Sequence, residues 1–328
     1  MRNNLKLKKV MLLGTGAMAL AYYKVLKSLG IEAMTVVGRS EESCRQFELS
    51  TGVKPIPRGI SEWKKNNVID VDCAIVAVSV EQLASTACEL IKLGVKKILL
   101  EKPGGLNVAE ITEISKMAQI SDVKVCVAYN RRFYASVLKA QELIMSDGGV
   151  KSFHFEFTEK SHLMPRDIPN DDVKKNLVLT NSSHVIDLAF FLGGIPKEMS
   201  AYYGGSISWH PSAAIFSGAG RTIHEALFTY QANWNAPGRW GVELLTKNQR
   251  LILRPLEELK IQNLKSADIT NIKIDDKLDL QYKPGLYLQM RSFLSDELAA
   301  FKSISEQEES AKIYAKMANY QYAAKMAT

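Results

Sequence analysis

The chain has 328 residues, more than a single hydrophobic core usually serves, so two domains are expected. Its 46% hydrophobic and 23% charged residues exclude the composition of a disordered chain. The net charge of +7 comes from Lys and Arg interleaved with Asp and Glu, which argues against a nucleic-acid partner and suits a small anionic ligand held in a cleft.

Lys6, Lys8 and Lys9 ahead of the apolar stretch from Val10 to Tyr23 look superficially like a secretion signal. Gly14 and Gly16 interrupt that stretch, and it contains a nucleotide-binding pattern that cleavage would destroy. No run of 18 or more apolar residues occurs, so no membrane span is expected. Cys44, Cys73, Cys88 and Cys126 form no C-x-x-C pair and read as reduced core residues, which points to the cytoplasm.

The first third alternates apolar runs with helix-like segments, the pattern of βαβ units around a parallel sheet. Strands are expected at Lys9 to Leu13, Met34 to Val37, Cys73 to Val78, Lys97 to Leu100 and Lys124 to Ala128. Helices are expected at Met18 to Leu29, Ser40 to Thr51, Glu81 to Leu93 and Asn107 to Ala118. After about Tyr129 the texture changes. Ser152 to Thr158 alternates Phe with other residues, and Leu227 to Trp234, Trp240 to Thr246 and Arg250 to Leu253 are also strand-like, as in a sheet with one covered face. A helix from Ser183 to Leu192 should stop at Gly193-Gly194. Glu306 to Met326 is Ala-rich and helical in propensity. The reading is a doubly wound Rossmann domain at residues 1–128, then an α+β domain at 129–328 with a large, mainly antiparallel sheet. The C-terminal helix has the option of packing back on the first domain.

Gly14-Thr15-Gly16-Ala17-Met18-Ala19 follows the first strand and opens a helix, where a dinucleotide pyrophosphate is held. Gly14 permits the tight turn, Gly16 lets the backbone approach the phosphates, and Ala19 lets helix and strand pack closely. The helix N-terminus adds N–H donors and a favourable dipole. At the tip of the second strand, where an acidic residue usually holds the NAD ribose, stand Gly38-Arg39-Ser40. Arg39 and Ser40 suit a 2′-phosphate, so NADP(H) is favoured over NAD(H). Glu41 and Glu42 are the opposing evidence, since either could serve a ribose if the strand ended later. After the third strand stands Ser79-Val80-Glu81, and Ser79 is counted as a candidate cofactor contact.

Glu101-Lys102-Pro103 ends the fourth strand, on the edge where open α/β sheets bind ligands. A lysine there could move a proton at a substrate oxygen, or be an ordinary solvated lysine. Together with Asn130-Arg131-Arg132-Phe133 and Ser183-His184-Val185-Ile186-Asp187, these motifs recur in the same order in the Gfo/Idh/MocA oxidoreductase family, which the chain resembles. The resemblance implies a Rossmann domain and a second domain whose open sheet often joins subunits, hence a homodimer or homotetramer. It implies a sugar, polyol or nucleotide-sugar substrate and an alcohol–ketone interconversion. It also implies Lys102 and His184 as catalytic residues, with Asn130 and Arg131 lining the cleft. Glu101 and Asn130 are included among the cofactor contacts. Where many catalytic members carry Asp four residues before the histidine, this chain has Thr180, which moves the acid–base work to Lys102 and His184.

His184 and Asp187 share a helical face at i,i+3 and could interact, although a lone histidine among apolar residues is often structural. The other histidines, His154, His162, His210 and His224, show no ligand spacing, and no metal is expected. Trp234 to Trp240 reads as a turn joining two strands, with the tryptophans, Trp234 among them, able to stack on a sugar ring and Arg239 able to meet a phosphate, or as a hairpin whose tryptophans pack on the sheet. Arg166, in the loop from His162 to Asp172, is a further candidate substrate contact beside Thr180 and Asp187. Competing functions are an NAD-dependent glycosidase of the same family and a non-catalytic sensor of dinucleotide or sugar.

Overall fold

The computed structural model describes residues 7–320 apart from residues 66 and 169. It forms two compact units. One reaches to Tyr129 and takes in Gln281–Glu309; the other comprises Asn130–Leu280 and the stretch from Ser310. Residues 281–309, given by the sequence boundary to the second domain, thus belong to the first unit, and their packing shows why. β14 (Lys302–Ser303) pairs antiparallel with β5 (Lys124–Ala128), and helix Leu286–Leu294 packs on helix Ala17–Ser28.

The first unit runs β1 (Val10–Leu13), α1 (Ala17–Ser28), β2 (Met34–Val37), α2 (Glu41–Thr51), α3 (Gly59–Trp63), β3 (Cys73–Val76), α4 (Val80–Lys92), β4 (Lys97–Glu101), α5 (Val108–Ile120) and then β5. Its sheet has the order β14-β5-β4-β3-β1-β2, parallel except at β14. Every residue of β1 and β3 is buried, which is why these strands are apolar throughout instead of alternating. Ser40 and Asn107 cap α2 and α5, accepting hydrogen bonds from Ser43 N and Glu110 N, so the helices begin one residue after them. The strand order reverses direction between β1 and β3, and a crevice opens at their carboxyl ends.

The second unit contains α6 (Ala135–Ser146), β6 (Ser152–Glu156), α7 (Met164–Asp167), α8 (Asp171–Lys175), a π-helical turn (Val178–Ser182) and α9 (Ser183–Gly193). These are followed by β7 (Pro196–Gly204), β8 (Ile215–Thr222), β9 (Leu227–Asn233), β10 (Gly241–Leu245), β11 (Gln249–Leu253), β12 (Lys260–Asn263) and β13 (Ile269–Asn271). The sheet order is β13-β12-β11-β10-β6-β9-β8-β7, antiparallel but for the pair β6–β9. β9 and β10 are therefore not a hairpin, because β6 lies between them. α9 packs on β6 and β10. There Phe153 stacks on Phe228 and Phe155 on Tyr230, with Phe190 of α9 edge-on to both Phe153 and Phe155. Gly194 ends α9 at φ 105°, as the Gly193-Gly194 pair suggests. The last helix among the described residues is Ile304–Ala318; the sequence expectation past residue 320 lies outside them.

Candidate active site

The glycine turn sits between β1 and α1. Gly14 has φ +115° and donates its N–H to Val37 O at 2.8 Å; a Cβ there would overlap the Ala77 carbonyl oxygen and stand 2.8 Å from its carbon. Gly16, the N-cap of α1, is different. It has φ −83°, and apart from its immediate chain neighbours nothing among the described residues lies within 4 Å of a Cβ built on it. No side chain caps the helix and no acidic residue occupies its first turn, so its N–H groups face the space that Gly16 leaves open. That cradle fits a pyrophosphate. Ala17 is exposed, and Met18 Sδ accepts a hydrogen bond from Lys283 Nζ at 2.8 Å.

A cleft of about 460 Å³ gathers Gly14, Thr15, Gly16, Arg39, Ser40 and Ser79, joined by Ser43 and Arg58, which the sequence reading did not single out. Thr15 Oγ1 donates to Ser43 Oγ at 2.8 Å, and the Ser40 and Ser43 hydroxyls are 2.7 Å apart. Glu41 Oε1 lies 3.4 Å from the Arg58 guanidinium.

Glu101 ends β4 with its carboxylate accepting from Tyr22 OH at 2.6 Å. Burial pushes its pKa up, while the Tyr22 bond and the charges of Lys102 and Lys283 pull the other way. Lys102 is half-buried beside it. Gln307, itself fully buried, donates Nε2 to Pro103 O at 2.9 Å and to Tyr129 Oη at 3.1 Å, which holds the backbone just after the lysine.

In the second unit, Asn130–Phe133 forms a 3-10 turn with Asn130 buried. The Arg131 guanidinium lies 5.0 Å from the Trp240 ring centre, and the His184 ring is 6.0 Å from the same indole. Arg131 and His184 thus both lie beside the Trp240 ring. Arg132 Nε and Nη2 each bond an oxygen of Asp187 at 2.8 Å, and its guanidinium stacks 4.4 Å over Phe191. Glu159 accepts from Ser182 Oγ at 2.6 Å and from Asn181 Nδ2 at 3.1 Å, pinning the π-helical turn just before His184.

Five of the candidate substrate contacts are placed as follows. Asp187 is 1% exposed, and each of its carboxylate oxygens accepts a hydrogen bond from Arg132. Trp234 is also 1% exposed; it donates Nε1 to Phe157 O and stacks on Trp209 at 5.7 Å, so it packs in the core. Thr180 is buried and donates its hydroxyl to Val173 O at 3.0 Å. Arg166 is exposed and pairs with its neighbour Asp167. Arg239 is exposed on the connection after β9, and its backbone N–H bonds Glu156. Tyr22 and Gln307 were not singled out by the sequence, because each acts through a partner many residues away. Among the described residues no group of three or more His, Cys, Asp or Glu is placed to hold a metal ion.

Residues 8–129 match the model of the Gfo/Idh/MocA group, described as an oxidoreductase family with an NAD-binding Rossmann fold. No curated protein matches the chain. Among solved structures, levoglucosan dehydrogenase in complex with NADH and levoglucosan aligns with a TM-score of 0.76 at 17% identity, over 97% of this chain and 97% of that one. An inositol dehydrogenase homolog from Azotobacter vinelandii, complexed with NADH and myo-inositol, gives 0.74 at 12% identity over 95% and 94%. UDP-N-acetylglucosamine 3-dehydrogenase from Acidithiobacillus ferrooxidans gives 0.72 at 12% identity over 94% and 96%. At these identities the likeness is one of fold.

Proposed function

On the premise that its N-terminal domain is that of the Gfo/Idh/MocA oxidoreductases, we propose that the protein is a dehydrogenase or reductase interconverting an alcohol and a ketone on a sugar, polyol or nucleotide-linked sugar, with NADP(H) favoured over NAD(H). The observation that carries this reading is the cleft at the carboxyl edge of the first sheet, with the space over Gly16 left open at the start of α1. The cofactor preference is supported by Arg39 and Ser40 at the cleft and by the engagement of Glu41 with Arg58.

Bound nicotinamide supplies hydride transfer at the substrate carbon. The turn from Gly14 to Gly16 and the first N–H groups of α1 hold the pyrophosphate. Lys102 and His184 are the residues to which the proton chemistry is assigned. Thr180 spends its hydroxyl on Val173 O and has no charge to lend, so the proton work stays with those two residues. Arg131 and Trp240 offer a cation and a ring face to a polyhydroxylated ligand. The uncovered face of the second unit's sheet, carrying Ile215, Leu227 and Leu245, supports assembly into a homodimer or homotetramer, and four buried free cysteines suit the cytoplasm.

The test is nicotinamide absorbance against a panel of keto-sugars, polyols and nucleotide sugars, for the parent, Lys102→Ala and His184→Ala. Each variant is expected to lose about 100-fold or more in kcat/KM on the best substrate. Full activity in either removes the role assigned to that residue. Release of free sugar with no net change in absorbance identifies a glycosidase, and dinucleotide binding without turnover of any substrate identifies a sensor.

A further inference from the structure

The segment that follows α2 returns to the tip of β2 and runs beside it. Ile56 N donates to Val36 O at 2.8 Å, Gly38 N to Ile56 O at 2.9 Å, Arg58 N to Arg39 O at 3.0 Å and Gly59 N to Gly38 O at 2.8 Å. This strap places Arg58 against Arg39, and both line the cleft with Ser40 and Ser43. Arg58 has φ +71°, a left-handed conformation that glycine or asparagine adopts more easily, and it makes no side-chain cap to α3. Its guanidinium meets Glu41 at 3.4 Å in a pair whose side chains are 68% and 66% exposed. An exposed pair of that kind contributes little to stability and is readily exchanged for a stronger anion.

We propose that Arg58 is the second cation of a 2′-phosphate subsite, closing with Arg39 and the Ser40 and Ser43 hydroxyls on the phosphate that distinguishes NADP(H) from NAD(H). The proposal rests on the cofactor preference argued above and adds to it a specificity-determining residue. Two guanidiniums match the charge of a phosphate dianion, and hydroxyls linked to Thr15 supply neutral donors beside them. Glu41 pairs with Arg58 in this structure, and when the phosphate binds the guanidinium turns from carboxylate to phosphate. The opposite reading gives Glu41 the ribose hydroxyls of NAD(H), with Arg58 as its counter-ion.

Calorimetric titration of the full chain separates the two. The probes are NADPH, NADH, 2′,5′-ADP and 5′-AMP, and the proteins are the parent, Arg39→Gln, Arg58→Gln and Glu41→Gln. Arg58→Asn, suited to the left-handed backbone, serves if Arg58→Gln folds poorly. Arg58→Gln is expected to weaken NADPH and 2′,5′-ADP by about tenfold or more, the loss of a charge-assisted contact, while NADH and 5′-AMP stay nearly unchanged. Glu41→Gln is expected to tighten NADPH. If the parent prefers NADPH and Arg39→Gln removes the preference while Arg58→Gln leaves it intact, the role of Arg58 fails and the NADP reading stands. If the parent binds NADH more tightly and Glu41→Gln weakens it, both fail and Glu41 takes the ribose.

Discussion

Gly14 and Gly16 are two residues apart in one motif, yet alanine at each should do opposite things. At Gly14 the backbone is at φ +115° and a Cβ would run into the Ala77 carbonyl. The left-handed conformation alone costs about 1–2 kcal/mol for a residue with a Cβ, and displacing the buried Ala77 backbone just past the end of β3 adds to it. A total near 3 kcal/mol translates to a fall in Tm of about 6–12 °C for a unit of this size. At Gly16 the φ of −83° suits any residue and a Cβ meets nothing. The small loss at an N-cap, a few tenths of a kcal/mol, is offset by the reduced freedom of the unfolded chain, so stability should hold within about 0.5 kcal/mol. The methyl does occupy the space over the α1 N-terminus, and NADPH affinity should fall about tenfold or more. Scanning calorimetry on both ligand-free variants, with fluorescence titration of NADPH, reads the contrast. A Gly16→Ala variant that binds as tightly as the parent would show that no pyrophosphate crosses Gly16, and an unchanged Tm in Gly14→Ala would refute the steric argument.

Two further outcomes follow from side chains away from the cleft. His210 is buried, its Nδ1 2.9 Å from Ala213 O and its Nε2 3.1 Å from Tyr320 Oη, and burial pushes its pKa down to about 4. The folded protein keeps this ring neutral while the unfolded chain takes a proton below about 6.5, so the contribution is present above that pH and is lost as pH falls toward 4, to a limit of about 3 kcal/mol. His210→Phe should therefore flatten the stability–pH profile between those values in urea titrations, and an unchanged slope would mean that His210 is not the group responsible. The Arg132–Asp187 pair is buried on both sides, so Arg132→Met alone should cost about 3–5 kcal/mol by stranding the carboxylate, whereas Arg132→Met with Asp187→Leu should recover most of it. Equal destabilisation in the single and double variants would show that the pair is not the interaction at stake.

Much of the first unit was legible because its parallel strands carry a strong signal. Ala74 to Val76 is apolar at every position because both faces of β3 are covered, and Ser40 and Asn107 announce helices through side chains that cap them. The turn from Gly14 to Ala19 was readable for the same reason: its residue types are imposed by local backbone and by what must approach it. In the second unit the alternation of Phe153, Phe155 and Phe157 disclosed a half-covered sheet. It did not disclose the parallel pairing of β6 with β9, since period-two patterning says which face is buried and nothing about the neighbour. Indole and carboxylate roles were the least legible. Trp234 and Trp240 flank one connection and look equivalent in sequence, but the first packs on Trp209 and the second meets Arg131 and His184.

The sequence by itself determined the doubly wound unit and the glycine turn after its first strand, because each follows from local backbone demands or from a short motif, and it singled out Lys102 and His184 as candidates through the motifs that carry the resemblance. Only the tertiary structure decided that 281–309 completes the first unit, that Asp187 belongs to Arg132, and that Arg58 stands beside Arg39. Those facts depend on segments brought together by sheet pairing and burial, and a side chain's partner at such separation leaves no periodicity in the chain that carries it.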